Sequence, residues 1–399
     1  MITDSYPPEI RSASHLMQEM AEGLRDRGHK VAVVTTYPKY NLVPERKDVQ
    51  FGKFTVEDNI EVIRIRTLPH HKVNFIVRGI SQLILPYIFF SNINKYINHT
   101  VDIAMVYSPP LPLAMVGRMM KKKYETKFIL NVQDIFPQNG IDLGILKNKL
   151  MIKYFEFIEK KAYKNADKIV THSRGNRIFL VNQKHVHEDK VHIMHNWIDI
   201  KHYVNTTRTN IFRERYGLND KFIFLFAGVI GPSQGLDLIV KAAKELREIS
   251  EICFLLVGDG SEKDKLAKMA ESYALGNVVF KPFISKEDYP SLVKEANVGV
   301  VCLSSKNKTP VVPGKILGYM AASIPVIAFL NKESDAHGLI EEAKCGYSSV
   351  SDDLESTVNT IVKIYDERNR LGEYGENGFK YVSKYFAKEV CINNLEKLF

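Results

Sequence analysis

The chain of 399 residues has only four cysteines and one tryptophan. Cys253, Cys302, Cys345 and Cys391 are scattered without a Cys-x-x-Cys pair, which argues against a disulfide framework or a thiolate metal cluster. The first two lie in the apolar runs "ICFLLV" and "GVVCL" and are expected to be reduced core thiols of a cytosolic protein. The start, "MITDSYPPEI", has neither the basic segment nor the apolar core of a signal peptide, so translocation is not expected. Long apolar runs are also missing. The most apolar segment, "GISQLILPYIFFSNI" from Gly79, is uninterrupted only from Leu83 to Phe90, against the roughly 20 residues of a spanning helix. No Gly-x-x-x-x-Gly-Lys-Ser/Thr occurs, which excludes a P-loop nucleotidase. No Gly-x-Gly-x-x-Gly follows the first strand, which disfavours a nicotinamide enzyme, and "VGDGSEKDKL" resembles that fingerprint only weakly.

Acidic residues are scarce in one half alone. Residues 1–199 carry 29 Lys and Arg against 20 Asp and Glu, while residues 200–399 carry 26 of each, so the first half holds the whole formal net charge of +9. Such a half suits nucleic acid, an anionic membrane surface or an acidic substrate, or is simply a solvated basic face. No recognised nucleic-acid module accompanies the charge, and a nucleic-acid partner is not expected.

What the chain does have is alternation. In the second half "KFIFLFAG", "ICFLLVGDG", "NVVFKPF", "VGVVCLS" and "IPVIAFL" read as buried strands, separated by helical periods such as "GLDLIVKAAKELREI". The first half repeats the scheme less tidily, beginning with a strand of only Met1 to Thr3. The expected fold is α/β, with two Rossmann-like, doubly wound domains facing each other across a cleft. Residues 1–199 and 200–379 would form the domains, and the helical tail 380–399 would cross back to the first.

In such sheets ligands collect where strands end and helices begin. Two strand exits of the second half carry unusual residues. "FAGVIGPSQGLDLIV" places Gly228, Val229, Gly231, Gln234 and Gly235 on a turn that admits close backbone approach, or is only tight. "PVVPGKILGYMAASIPVIA" opens a helix with Pro313, Gly314 and Lys315, where unpaired N–H groups, the helix dipole and an ammonium favour an anion; otherwise the lysine snorkels to water. Together they point to a diphosphate. Phe283, in "VVFKPFIS", either packs on a nucleobase or plugs apolar space.

"GVIGPSQGLDLIVKAA", "VGDGSEKDKLAKMA", "VVPGKILGYMAASIPVIA" and "HNWID", with "ITDSYPPEIRSASH", "YSPPLPLAM" and "VQDIFPQNG", resemble in order the family-four retaining glycosyltransferases of the GT-B fold. The similarity lies nearest the bacterial branch that builds O-antigen, capsule and colanic-acid-type polysaccharides, including fucosamine transferases. It implies a nucleotide-sugar donor, UDP-linked by preference, held by the second domain. Gly228, Val229, Gln234, Phe283, Pro313, Gly314 and Lys315 are then donor contacts. It also implies a polyprenyl-diphosphate-linked saccharide acceptor at the first domain, with Glu9, Arg11 and His15 on that side. His15 and His195 also read as structural histidines. Family members often carry two glutamates where this chain has Pro310 and Gly318, the second gripping the ribose. That departure keeps a non-catalytic scaffold among the alternatives, beside a nucleotide-sugar 2-epimerase of the same fold.

Cleaving a sugar from a nucleoside diphosphate leaves an oxocarbenium-like centre and a departing dianion. No Asp-x-Asp pair is present to hold a metal, so Lys315 and helix N-termini are expected to stabilise the leaving group without one. Asp134, in "NVQDIFP", is the candidate polariser or base for the acceptor hydroxyl, or else caps the next turn. The basic first half, with Lys72, Arg78 and Lys95 and with Arg118 and Lys121 to Lys123, suits peripheral contact at the inner face of the cytoplasmic membrane. No cofactor is implied. Sugar transfer is therefore expected to survive excess EDTA; loss of turnover that magnesium restores would contradict a metal-free site.

Overall fold

The computed structural model describes residues 1–9, 11–38, 42, 50–68 and 75–399, with backbone alone for 75–80. The chain divides into two units, Met1–Asn196 with Cys391–Phe399, and Trp197–Val390. The sequence puts the joint at 199/200 and the return of the tail at 380; the division falls at 196/197 for the first and eleven residues later, at Cys391, for the second.

In the first unit, helix α1 (Ser12–Arg25) precedes strands β1 (Ala32–Thr36), β2 (Phe54–Glu57) and β3 (Ile60–Ile65). Helix α2 (Phe75–Tyr96), β4 (Ile103–Ser108), α3 (Ala114–Tyr124) and β5 (Lys127–Val132) follow. Then come α4 (Gln138–Asp142), α5 (Lys149–Asn165), β6 (Lys168–Thr171), α6 (Arg174–Asn182) and β7 (Val191–Ile193). Strands pair in the orders β1-β3-β2 and β4-β5-β6-β7, all parallel except β2 with β3. Ile2 joins the two sets by parallel bridges to Val34 and Val106. The expected opening strand is thus a single bridged residue, and the chain changes direction across the sheet on either side of it. Side-chain caps start two of these helices: Asn148 accepts from the Leu150 and Met151 N–H groups, and Ser173 from that of Asn176.

The second unit runs α7 (Lys201–Val204), α8 (Ile211–Tyr216), β8 (Phe222–Ala227), α9 (Asp237–Glu245), β9 (Ile252–Val257), α10 (Lys263–Ser272) and β10 (Val278–Lys281). It continues through α11 (Tyr289–Glu295), β11 (Val298–Cys302), α12 (Lys315–Ala321), β12 (Val326–Leu330), α13 (Ala336–Ala343) and β13 (Gly346–Val350). It closes with α14 (Leu354–Asp366), α15 (Leu371–Tyr385) and the start of α16 (Lys388–Glu396). The wholly parallel sheet has the order β10-β9-β8-β11-β12-β13, that of a dinucleotide-binding sheet whose switch point lies between β8 and β11. Every residue of β8, β9, β11 and β12 is buried, as continuous apolar runs covered on both faces require. The α/β class and the two Rossmann-like parallel sheets agree with the sequence reading.

Tyr319 of α12 fastens that switch point. It is fully buried, its ring lies where any side chain on Gly299 of β11 would sit, and its hydroxyl accepts from the Ala227 N–H at 3.2 Å while donating to the Leu225 carbonyl at 3.1 Å. Tyr319→Phe leaves the Ala227 N–H unsatisfied and is expected to destabilise the second unit by about 1–3 kcal/mol, read as a lowered midpoint in its thermal or urea transition.

Candidate active site

Of the donor-side candidates, Gly228, Gln234 and Lys315 meet where β8 and β11 part. Gly228 leaves β8 with φ +147°, and a Cβ built on it would stand 2.5 Å from Cε of Lys315. The sequence read Gly228 as room for a ligand; the structure fills that room with the lysine itself. Lys315 Nζ donates to Gln234 Oε1 at 3.1 Å and lies 4.9 Å from the centroid of the Phe226 ring. Both neighbours are neutral, and no carboxylate pairs with this ammonium among the described residues. Burial lowers its pKa from 10.5 to about 8, as withdrawal from water without a counter-charge must.

The α12 start adds donors. The Ile316 and Leu317 N–H groups bond to the Pro313 and Gly314 carbonyls at 3.1 and 3.2 Å, whereas those of Gly314 and Lys315 have no acceptor among the described residues. Pro313 is buried and Gly314 exposed, with nothing near the position of a Cβ on Gly314. α12 has only seven residues, so its dipole is short and the ammonium dominates the local field.

Neighbouring loops brace this edge. Gly258 after β9 has φ +149°, and a Cβ there would lie 1.8 Å from the Gly228 carbonyl oxygen; the "VGDG" glycines therefore serve backbone approach between loops. The Asp259 carbonyl accepts from the Ile230 N–H at 2.9 Å, and its carboxylate from the Phe283 N–H at 3.4 Å. Phe283 is thereby held two strands from β8 with its ring 53 % exposed, and Val229 is 68 % exposed. At Gly318, a Cβ would stand 3.1 Å from the Tyr203 hydroxyl and 3.5 Å from Tyr289. Two tyrosines thus occupy the space that a carboxylate side chain would need.

In the first unit the candidates gather at the strand ends beside Ile2. Arg11 lies 3.6 Å from the Asp4 carboxylate and 3.9 Å from that of Glu9, both acids buried, and Ser5 Oγ donates to Glu9 Oε2 at 3.2 Å. Glu9 and Arg11 are thus engaged with the protein's own groups. Asp134 follows β5 and is exposed by surface area, yet it is crowded enough that desolvation raises its carboxyl above the ordinary value. Sequence reasoning missed Tyr107, near the end of β4. Its hydroxyl is raised by burial and then by the charges of Asp134 and Asp4, and its N–H donates to the Ile2 carbonyl at 2.9 Å while the next carbonyl, of Ser108, accepts from the Gln133 N–H at 2.9 Å. It sits inside the apolar run "VDIAMVY", and nothing in that pattern sets it apart from core. His15 is half-buried in the first turn of α1, and His195 Nδ1 meets the His172 carbonyl at 2.8 Å. No group of three or more potential metal ligands occurs among the described residues.

With this geometry in place, comparison with known proteins decides the family. The profile "Glycosyltransferase Family 4" matches residues 13–202, and "Glycosyl transferases group 1" matches residues 208–381. The chain is a family-four glycosyltransferase. It is 25 % identical over 324 residues to a putative colanic acid biosynthesis glycosyl transferase, WcaI, of Escherichia coli, covering 79 % of each chain. Among solved structures it superposes on sucrose-phosphate synthase of Thermosynechococcus elongatus with TM-score 0.78 at 16 % identity, covering 100 % of this chain and 96 % of that one. HepE of Anabaena, in complex with UDP-glucose, gives 0.73 at 16 % identity, covering 100 % and 97 %. These likenesses show the GT-B fold. As a member of the family, the transferase draws its sugar from a nucleotide-sugar donor.

The lowered pKa of Lys315 sets a pH dependence. In the free transferase the unfolded chain holds this proton more tightly, so stability rises between about pH 8 and 10.5 as the folded form loses it. A diphosphate bound at Lys315 would run the other way, because it favours the ammonium. Affinity for UDP, measured by calorimetry, is expected to fall as pH rises past about 8, with the titration displaced upward in the complex and absent from Lys315→Ala.

Proposed function

We propose that the transferase moves a hexosyl or N-acetylhexosaminyl residue from a UDP-sugar to a polyprenyl-diphosphate-linked saccharide in surface polysaccharide synthesis. Transfer retains the anomeric configuration. The observation that carries the donor reading is the ammonium of Lys315, half-buried and desolvated beside neutral partners at the sheet's switch point. A diphosphate supplies the missing charge, and the Gly314 and Lys315 N–H groups add hydrogen bonds to its oxygens. Phe283 and Val229, exposed on neighbouring loops, offer apolar surface to base and ribose. The preference for UDP draws on the HepE complex, and the pathway on the likeness to the colanic acid relative.

In the reaction the bond between the anomeric carbon and the diphosphate oxygen breaks, and its electron pair leaves with UDP. The acceptor hydroxyl oxygen forms the new bond to that carbon. Its proton passes to Asp134 or to the departing phosphate. A carboxyl raised by desolvation, as Asp134 is, holds a proton better near neutral pH than an ordinary aspartate does. Stabilising the leaving dianion in a partly dry site is worth about 3–4 kcal/mol for one well-placed donor.

A panel of nucleotide sugars incubated with the transferase and a lipid-linked monosaccharide, with products weighed by mass spectrometry, tests the reading. UDP-sugar consumption with a matching gain in acceptor mass is expected. An epimerised donor formed without acceptor would replace the proposal, and failure to bind either UDP or GDP would favour a scaffold. Lys315→Ala is expected to cut turnover by about 100-fold or more with the fold retained.

A further inference from the structure

The first unit leaves unusual apolar surface uncovered on two helices. On α5, Leu150, Tyr154, Phe157 and Lys161 fall at i, i+4, i+7 and i+11, a single helix face. Leu150 is 79 % exposed and Phe157 52 %, and Ile145, in the loop before α5, is 71 % exposed. Tyr87 of α2 is close enough to Tyr154 to disfavour its ionisation, after burial, which is the larger cause. Both helices pack on α3 and on the turn Leu111–Leu113, which puts α2 and α5 on one side of the sheet. Tyr87 is itself 68 % exposed, with Leu83 and Ile84 exposed one turn earlier.

Cations frame this surface. Lys147, Lys149, Lys153 and Lys160 are exposed around the apolar face, and Lys161 Nζ lies 4.2 Å from the centroid of the Phe157 ring. Of the two acids between residues 145 and 161, Glu156 is exposed, while Glu159 is buried and bonded to Lys184 and Tyr163. The sequence also places membrane contact on α2 and the residues before it, with Lys72, Arg78 and Lys95, and on α3, with Arg118 and Lys121 to Lys123, of which Lys95, Arg118, Lys122 and Lys123 are exposed. Lys72 and the Arg78 side chain lie outside the described residues, and Lys121 is paired with Asp167.

We propose that this joint face of α2 and α5 docks on an anionic phospholipid bilayer, its apolar side chains entering the headgroup boundary and its lysines meeting lipid phosphates. The proposal deepens the lipid-linked acceptor reading and rests on it for its purpose. A protein partner fits less well, because interface cores are depleted of lysine. A headgroup layer takes lysine stems and ammonium groups together, and tyrosine rings with one polar end.

Sedimentation of the full chain with vesicles of phosphatidylcholine, alone or with phosphatidylglycerol, tests it. Binding to the anionic vesicles, weakened by salt and small on the neutral ones, is expected. Leu150→Asp with Phe157→Asp, and separately Lys147→Glu with Lys149→Glu and Lys153→Glu, should each lower partitioning about tenfold or more. Transfer to a water-soluble acceptor should be unchanged in both. Wild-type protein that ignores anionic vesicles, or variants that bind them equally well, would overturn the proposal. So would loss of self-association in these variants without loss of vesicle binding, since the face would then be a protein contact. Vesicle binding is read without any assay of transfer, so failure of the functional reading is seen separately.

Discussion

An ammonium group withdrawn from water with no acid beside it is the constraint around which the second unit is arranged. Desolvating a lysine costs free energy that a neutral amide and an aromatic face only partly offset, and the lowered pKa of Lys315 records the remainder. The rest of the edge follows from keeping that group in place. Gly228 has no side chain because the lysine stem runs over it, Gln234 reaches back to the ammonium, and Gly258 lets the next loop close beneath. Tyr319, between α12 and β8, holds helix start and strand exit at one separation. On the proposed reading, a diphosphate arriving at this site would supply the counter-charge that the ammonium lacks.

The two units meet the same topological condition with different chemistry. In each, a parallel sheet reverses its strand order, beside Ile2 in the first and between β8 and β11 in the second. In each, the polar residues collect at that reversal. The first unit buries the carboxylates of Asp4 and Glu9 against Arg11 and leaves Asp134 accessible. The second presents one cation. The proposed roles, an acid for the acceptor hydroxyl and an ammonium for the phosphate, would be complementary parts of group transfer, and the even charge of the second half is no obstacle, since local donors decide anion binding.

Much of this was legible before any coordinates. β8, β9, β11 and β12 announced themselves as apolar runs, and Gly228, Gln234 and Lys315 stood out because glycine, glutamine and lysine at strand exits have no core role. What escaped notice was polar function inside apolar pattern and structure without pattern. Tyr107 and Phe226 lie within strands that read as core. β2 and β7, of four and three residues at sheet ends, are too short for their alternation to stand out, and β13, "GYSSV", is half-buried throughout and shows none. Gly318 was legible as a departure, but only the placement of Tyr203 and Tyr289 shows that its space is already taken.

The most direct test is a crystal structure of the transferase with an intact or hydrolysed UDP-sugar. The account predicts both phosphorus atoms beside Lys315 Nζ and the Gly314 N–H, with Gln234 released from or sharing the ammonium. A diphosphate lodged elsewhere, with the bond between Lys315 and Gln234 undisturbed, would contradict it.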